Sequence, residues 1–462
     1  MRRRLIASVI FSLAAFVAFA ATGRHHAVNP PAAAPPEPIV SLDARRSMVV
    51  TDVALLEGFT FQRFLDQIIA RSGVHGLTSS QLYRQWFDTQ NPKPGLADPA
   101  GPHCDDFLTN GTFSFNGFPR RCPTAEGELA ATPFTAGEYI PIALVNRFDA
   151  TPADGSNCGQ YRIIFARKMA AGLRLHIILE PVVRNPNPAA GLAGCRPIAQ
   201  FWADLTKIDS IAERRARLEQ FYFDGIPGVA PVIDPDHFGV TGGGIRTTQV
   251  GEIGAAPRMY QFHVTKDCGN GNDCTLRMTP DVLPNMVFGD LFDATNNGTQ
   301  AKAFRDLFVA QVPNLAIRNA NEFFMETPRD YLMAESDPTD GDKEFEYVTA
   351  FNRSKLTAPA FKTAIQAKLT SIGSTLTPEQ IVRRAETQSC IGCHFFGNDV
   401  GEGVTFPKSI DGIQHVTEDT PETGEAGQRY RISVGMRDAF VPHRMQILID
   451  YLNTGKAPVR SQ

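Results

Sequence analysis

Cysteine spacing constrains this chain more than any other feature. Eight of its 462 residues are cysteines. Two fall in Gln388-Ser389-Cys390-Ile391-Gly392-Cys393-His394, a Cys-x-x-Cys-His run; the others are Cys104, Cys122, Cys158, Cys195, Cys268 and Cys274. Whether those six cross-link depends on compartment, because disulfides persist only where thiols are not kept reduced. The chain opens with Arg2-Arg3-Arg4, runs apolar from Leu5 to Phe19 and reaches Ala18-Phe19-Ala20, the three-part form of a secretory signal. The apolar run falls short of the roughly 20 residues of a spanning helix. Cleavage near Ala20 or Ala21 is therefore expected, residues 1–21 being the leader. No cysteine follows the apolar run to carry a lipid. The mature protein is expected to be periplasmic or secreted, with no membrane span left. There the six cysteines suit three disulfides, most simply between sequence neighbours: Cys104–Cys122, Cys158–Cys195 and Cys268–Cys274. The alternative leaves one or two of those pairs as buried thiols.

With 43% hydrophobic and 20% charged residues the chain can build ordinary cores. A net charge of -4 gives no reason to expect nucleic acid or an anionic membrane as partner. Residues 22–41, rich in Pro and Ala, read as a semi-rigid spacer. Residues 42–369 read as an α+β region of one or two domains. Helical periodicity runs through 58–73, 198–223 and 299–318, and strand-like runs fill 139–149, 159–168, 173–183, 244–250 and 258–264. Strands thus cluster between 139 and 285, with helices on either side.

The Cys-x-x-Cys-His run is the strongest chemical signal. On a helix, positions i, i+3 and i+4 share a face, so Cys390, Cys393 and His394 can meet one flat ligand. That suits one covalent haem c, its vinyl groups joined to Cys390 and Cys393 and its iron held from below by His394. Zinc would want a second cysteine pair, which the sequence lacks. A redox dithiol usually opens a helix. Here Thr377, Pro378 and Gln380 open one instead, as a capping box with proline at the first position, so the cysteines fall near its end. A structural disulfide would leave the adjacent histidine unexplained.

From about Thr375 to Pro458 the sequence resembles a single-haem c-type cytochrome domain. The resemblance implies a small all-α cytochrome c-like domain at 375–458, its closing helix near Val441 to Leu452 packed on the motif helix through Met445, Leu448, Ile449 and Leu452. It also implies a second iron ligand shortly before that helix. Met436, 42 residues after His394, is the leading candidate for that distal position. His415, 21 residues after His394, is the alternative, and His443 or an open face complete the set. Two features depart from the family: Arg383 and Arg384 stand where a Gly and aromatic pair is common, and Phe406-Pro407-Lys408 matches the family's Pro-containing loop only loosely.

The larger region carries no legible catalytic motif. The Asn146-Arg147-Phe148-Asp149 stretch reads as part of a disulfide-pinned turn rather than a binding loop. The carboxylates between Asp337 and Glu344 lack the ligand spacing of an EF-hand. His103, His176 and His263 follow no metal spacing, and Gly242-Gly243-Gly244 lacks the lysine of a phosphate loop. Two functions remain. One is an exported electron carrier with an unidentified redox partner protein. The other is a haem-dependent oxidoreductase or peroxidase-like enzyme, the N-terminal domain being its substrate or partner module; a second Cys-x-x-Cys-His, which di-haem peroxidases carry, is absent.

Overall fold

The strand-like runs pair into one antiparallel sheet in the computed structural model, which describes residues 38, 41–109, 111–168, 174–239, 243–249, 258–269, 274–336, 346–354, 358–390, 392, 400–404 and 415–456. The leader at 1–21 and, apart from Pro38 and Ser41, the spacer at 22–41 lie outside the described residues. From Ile39 to Gln462 the chain forms one compact unit.

Along the chain come α1 (Ala44–Ser47), β1 (Val49–Val50), α2 (Val53–Leu56), α3 (Phe61–Ser72) and α4 (Ser79–Asp88). A small three-stranded sheet follows, β2 (Leu108–Thr109), β3 (Thr112–Phe115) and β4 (Phe118–Pro119). Then come β5 (Tyr139–Arg147), β6 (Asn157–Lys168), β7 (Arg174–Glu180) and β8 (Val182–Arg184), before α5 (Arg196–Asp204) and α6 (Ile211–Glu219). The sheet resumes with β9 (Gly244–Gln249), β10 (Arg258–Asp267) and β11 (Thr275–Asp281). After α7 (Thr299–Leu315) and β12 (Glu335–Ser336) follow α8 (Tyr347–Ser354), α9 (Ala360–Ser371), α10 (Pro378–Glu386), the hairpin β13 (Val416–Gly424) and β14 (Gly427–Ile432), and α11 (Val441–Thr454). The nine-stranded sheet runs β1-β5-β6-β7-β9-β10-β11, with β12 on β10 and β8 on β6.

Register decides which side chains share a face, because they alternate along each strand. Ile163 faces Leu179, Leu179 faces Ile245, and Ile245 faces Phe262. This apolar face is closed by α3 and α4. In α3 the buried Phe61, Phe64, Leu65 and Ile68 keep helical spacing, Thr60 caps the start by accepting the N–H of Arg63, and left-handed Gly73 ends it. The ring of Phe61 lies 5.4 Å from Phe165, and Trp86 of α4 lies 5.6 Å from Phe262. Each such side chain, fully buried, contributes about 1.5–3 kcal/mol.

The opposite face is different. Ile178 faces Arg246 and Arg246 faces Gln261, which puts Arg162, His176, Glu180, Arg246, Gln261 and His263 on one side. An antiparallel sheet commonly leaves such a face to water. Here the chain beyond residue 375 lies against it: Glu418 Oε2 of β13 comes within 3.8 Å of His176 Nε2, and Arg444 Nε of α11 within 3.7 Å of Asp149 Oδ2.

Three expectations need correction. The run at 198–223 is not one helix: it breaks at 208–210, where Ser210 caps α6 through the N–H of Glu213. The stretch 375–458 is not all-helical either, since β13 and β14 form a hairpin around Glu425 and Ala426. The alternation of Tyr430 and Ile432, and Gly427 at φ 95°, favour strand and turn over a helix-bundle loop. The closing helix does not pack chiefly on the motif helix. The ring of Tyr451 in α11 lies 4.7 Å from that of Phe148, tilted by 44°, and α11 lies against α5 and α1. The apolar stripe of α10 (Ile381, Val382, Ala385) is taken up by its neighbours α7, α8 and α9.

Candidate cofactor site

The motif helix starts as its sequence requires. Thr377 Oγ1 accepts the N–H of Gln380 at 3.2 Å, and Gln380 Oε1 accepts that of Thr377 at 3.0 Å, with Pro378 at the first position. At the other end Ser389 turns the chain. Its hydroxyl donates to the carbonyl of Glu386 at 2.7 Å and accepts the N–H of Gly392 at 2.9 Å. A Cβ at residue 392 would collide with that same Glu386 carbonyl. Glycine between the two cysteines is thus a steric requirement of the turn.

Arg384 is the anchor of α10. It is fully buried and donates to the carbonyls of Val400 (2.6 Å), Leu315 (2.8 Å), Ile317 (2.7 Å) and Gly401 (3.3 Å), with its guanidinium 4.7 Å from the Phe323 ring centre. Leu315 ends α7, so Arg384 also satisfies a carbonyl that the helix itself leaves open. Glu386, buried one turn before Cys390, is pushed up to about 7 by burial, against the pull of Arg383 at 2.5 Å.

Cys390 is half-buried and stands outside the disulfides, which join Cys104–Cys122, Cys158–Cys195 and Cys268–Cys274, the neighbour pairing. Burial pushes its thiol up, and the charges that act on it are Arg246, Glu180 and Arg162. Those three form a partly buried chain across the polar face, with Glu180 at its centre. Arg162 Nη2 lies 2.9 Å from Glu180 Oε1, and Arg246 Nε lies 2.8 Å from Glu180 Oε2. Gln160 and Gln261 brace the two guanidiniums, their amide oxygens accepting from Arg162 Nη2 at 2.8 Å and Arg246 Nε at 3.1 Å. Burial, opposed by Glu180, pushes Arg162 down to about 10.

Cys393 and His394 lie outside the described residues. The distal candidates converge on one serine. Ser433 Oγ lies 2.9 Å from His415 Nδ1 and accepts the N–H of Met436 at 3.0 Å, while the carbonyl of His415 takes the N–H of Ser433. Holding Nδ1 is how proteins commonly orient an imidazole that ligates through its other nitrogen. Met436 is buried and opens a π-helical turn, Met436–Phe440, that runs into α11. His443, in the first turn of α11, has a buried Nε2 with no hydrogen-bond partner among the described residues.

The remaining sequence candidates are structural or lie elsewhere. Arg147 and Asp149 pair with each other at 2.9 Å, buried at the end of β5. His103 is held between the carbonyls of Asn91 and Asp98, and His263 Nδ1 sits 2.6 Å from Asp281. Gly242 and the carboxylates at 337–344 lie outside the described residues. Among the described residues no group of three or more His, Cys, Asp or Glu is placed to hold a metal ion. Sequence reading missed Arg162, Glu180 and Arg246. Their signal is a charge set in the interior of each of three otherwise strand-like runs.

Toward a haem the described residues offer Cys390, a thiol outside the disulfides just beyond a capped helix. No family model matches the chain, and neither the curated proteins nor the solved structures contain a match.

Proposed function

We propose that this protein is an exported c-type cytochrome that carries one covalent haem and passes single electrons to an unidentified redox partner protein. Cys390 and Cys393 would hold the haem through thioethers and His394 its iron, with Met436 the leading distal ligand and His415 the alternative. The small cytochrome c-like unit of this reading is the stretch 375–458. The observation that carries the reading is Cys390-Ile391-Gly392-Cys393-His394 following a capped helix, with Cys390 left out of the disulfides. Three disulfides and the tripartite leader support a periplasmic or secreted location. Among the described residues no helix is long and apolar enough to cross a membrane.

When bound, the haem supplies reversible one-electron exchange. The chain's own contribution is positional. Arg384 fixes α10, Ser389 and Gly392 set the turn that presents Cys390, and Ser433 orients the distal side. The test is mass spectrometry of protein made in a host with haem-attachment machinery, after denaturation and solvent extraction. The peptide holding Cys390 and Cys393 should retain the haem mass, and His394→Ala should prevent stable holoprotein. An unmodified peptide refutes the reading. A resting haem that is high spin with an open face moves peroxide chemistry ahead of electron transfer.

A further inference from the structure

The apolar face of the sheet carries a polar island. Thr247 of β9 and Tyr260 of β10 are register partners on the side that also presents Ile245 and Phe262, and Glu335 of β12 pairs with Tyr260 from its other flank. Such partners stand about 5 Å apart at Cβ. Thr247 Oγ1 donates to Glu126 Oε2 at 2.8 Å, and Glu335 Oε2 accepts the N–H of Arg121 at 3.1 Å. The segment 120–126 is therefore laid over this part of the sheet, with Arg120 and Glu126 at its two ends. Gln90, just past α4, joins them. Its Oε1 accepts from Arg120 Nη2 at 3.4 Å and from Thr124 Oγ1 at 3.3 Å, and its carbonyl takes the N–H of Thr124 at 3.1 Å.

Gln90 and Tyr260 are 0% exposed, Glu126 2% and Arg120 6%. Yet Gln90 Nε2, Arg120 Nε, Glu126 Oε1 and Tyr260 Oη have no hydrogen-bond partner among the described residues. Native interiors leave few such atoms, because an unmade hydrogen bond forfeits the whole desolvation of the group. The four complement one another. Arg120 Nε and Gln90 Nε2 only donate, whereas Glu126 Oε1 and Tyr260 Oη are able to accept. A water molecule accepts two hydrogen bonds and donates two, and a buried one typically makes about three. An anion would satisfy the two donors but would face the oxygens of Glu126 and Glu335.

We propose that Gln90, Arg120, Glu126 and Tyr260 form an internal water-binding site on the apolar face of the sheet, where ordered water bridges the guanidinium to the carboxyl and the phenol. The bridge ties the segment closed by Cys104–Cys122 to β9 and β10, and it is independent of the haem reading. The experiment is a crystal structure of the protein at a resolution that places ordered solvent, with urea unfolding of Tyr260→Phe and the parent beside it. A solvent peak should lie within about 2.7–3.2 Å of at least three of the four atoms. Tyr260→Phe should lower the urea midpoint at unchanged slope, because the hydroxyl gives up a bond. Were the hydroxyl unpartnered, its removal would relieve a desolvation cost and raise the midpoint. Glu126→Gln keeps an acceptor oxygen and should keep the peak. A raised midpoint, or a site without solvent density, overturns the proposal. So does a denser peak that anomalous scattering identifies as a halide. If Tyr260→Phe fails to accumulate, the density in the parent still decides.

Discussion

Replacing Arg384 with methionine tests the claim that one buried guanidinium holds the motif helix in place. The substitution keeps most of the side-chain volume, so the loss is of charge and hydrogen bonds rather than of packing. Four backbone carbonyls lose a donor, Val400, Leu315, Ile317 and Gly401, of which Gly401 keeps the N–H of Val404. Hydrogen bonds to a charged group are worth about 1.5–3 kcal/mol each, with the higher cost where the partner is left buried. Two of the four stay within a turn of the α7 end, where relaxation or water can recover part of the loss. A net destabilisation of about 4–6 kcal/mol follows, comparable to much of the total stability of a typical domain. Arg384→Lys keeps the charge, but an ammonium cannot span four acceptors in a plane, so it should lose about half as much. Equilibrium urea unfolding reads both through the shift in midpoint at unchanged slope. Haem incorporation should fall in the same order, because α10 leads directly into Cys390. If Arg384→Met loses less than about 1 kcal/mol, the anchoring argument is wrong.

Glu126 is pushed up to about 8 by burial, against a hydrogen bond from Thr247 and the charge of Arg120. A carboxyl raised from 4.5 holds its proton in the folded state; the stability this gives is complete below about pH 4.5 and lost as pH rises through about 8, by up to about 5 kcal/mol. Glu126→Gln mimics the protonated form and should flatten that slope in unfolding measured from pH 5 to 9; parallel slopes for the two proteins would count against it. Replacing Cys158 and Cys195 with serine opens a link spanning 37 residues and should cost about 4 kcal/mol, whereas the Cys268 and Cys274 pair, spanning 6, should cost about 2. Denaturant unfolding that gives the reverse order contradicts the loop-entropy account. Met436→Ala should abolish the thioether-to-iron absorption band and lower the potential, while His415→Ala should spare the band. A high-spin haem from His415→Ala alone would instead mark bis-histidine ligation.

Local signals in the sequence were read well, and signals that depend on register were not. The β-rich runs at 139–149, 159–168 and 258–264 became β5, β6 and β10, because β-branched and aromatic residues fit a half-buried pleat wherever they stand. The capping box at Thr377 and Gln380 is local chemistry and formed as read. So did the neighbour disulfides, for which short separations leave few competing geometries. The hairpin at 416–432 escaped notice because both its faces are largely polar, which hides the period-two pattern. The packing of α11 on Phe148 joins residues some 300 apart, beyond any periodicity argument. The charged wall was invisible for the same reason: Arg162, Glu180 and Arg246 are separated in the chain and meet only through strand pairing.

The two faces of the sheet divide the labour, and the division follows from what each can bury. The apolar face gains from every contact with α3 and α4, so it holds the fold whether or not a cofactor is present. The polar face gains little by being covered, because ion pairs such as Arg162 with Glu180 are nearly neutral in their net contribution. What presses the C-terminal segment onto that face is therefore a set of ties at its margins. Arg46 and Arg214 both grip Glu425 at the hairpin turn, at 2.9 and 2.7 Å, and Thr51 donates to the carbonyl of Tyr430 at 2.7 Å. Tyr451 donates to the carbonyl of Leu192 at 2.8 Å, and Arg384 fixes the start of the motif. Substitutions in the apolar face should consequently cost stability in proportion to the area they lose. Exchanging Arg162, Glu180 and Arg246 together for apolar residues of similar size should cost little. Glu180→Gln alone should cost more, because it leaves two guanidiniums without their buried counter-ion; urea unfolding that gives the opposite order would contradict this division.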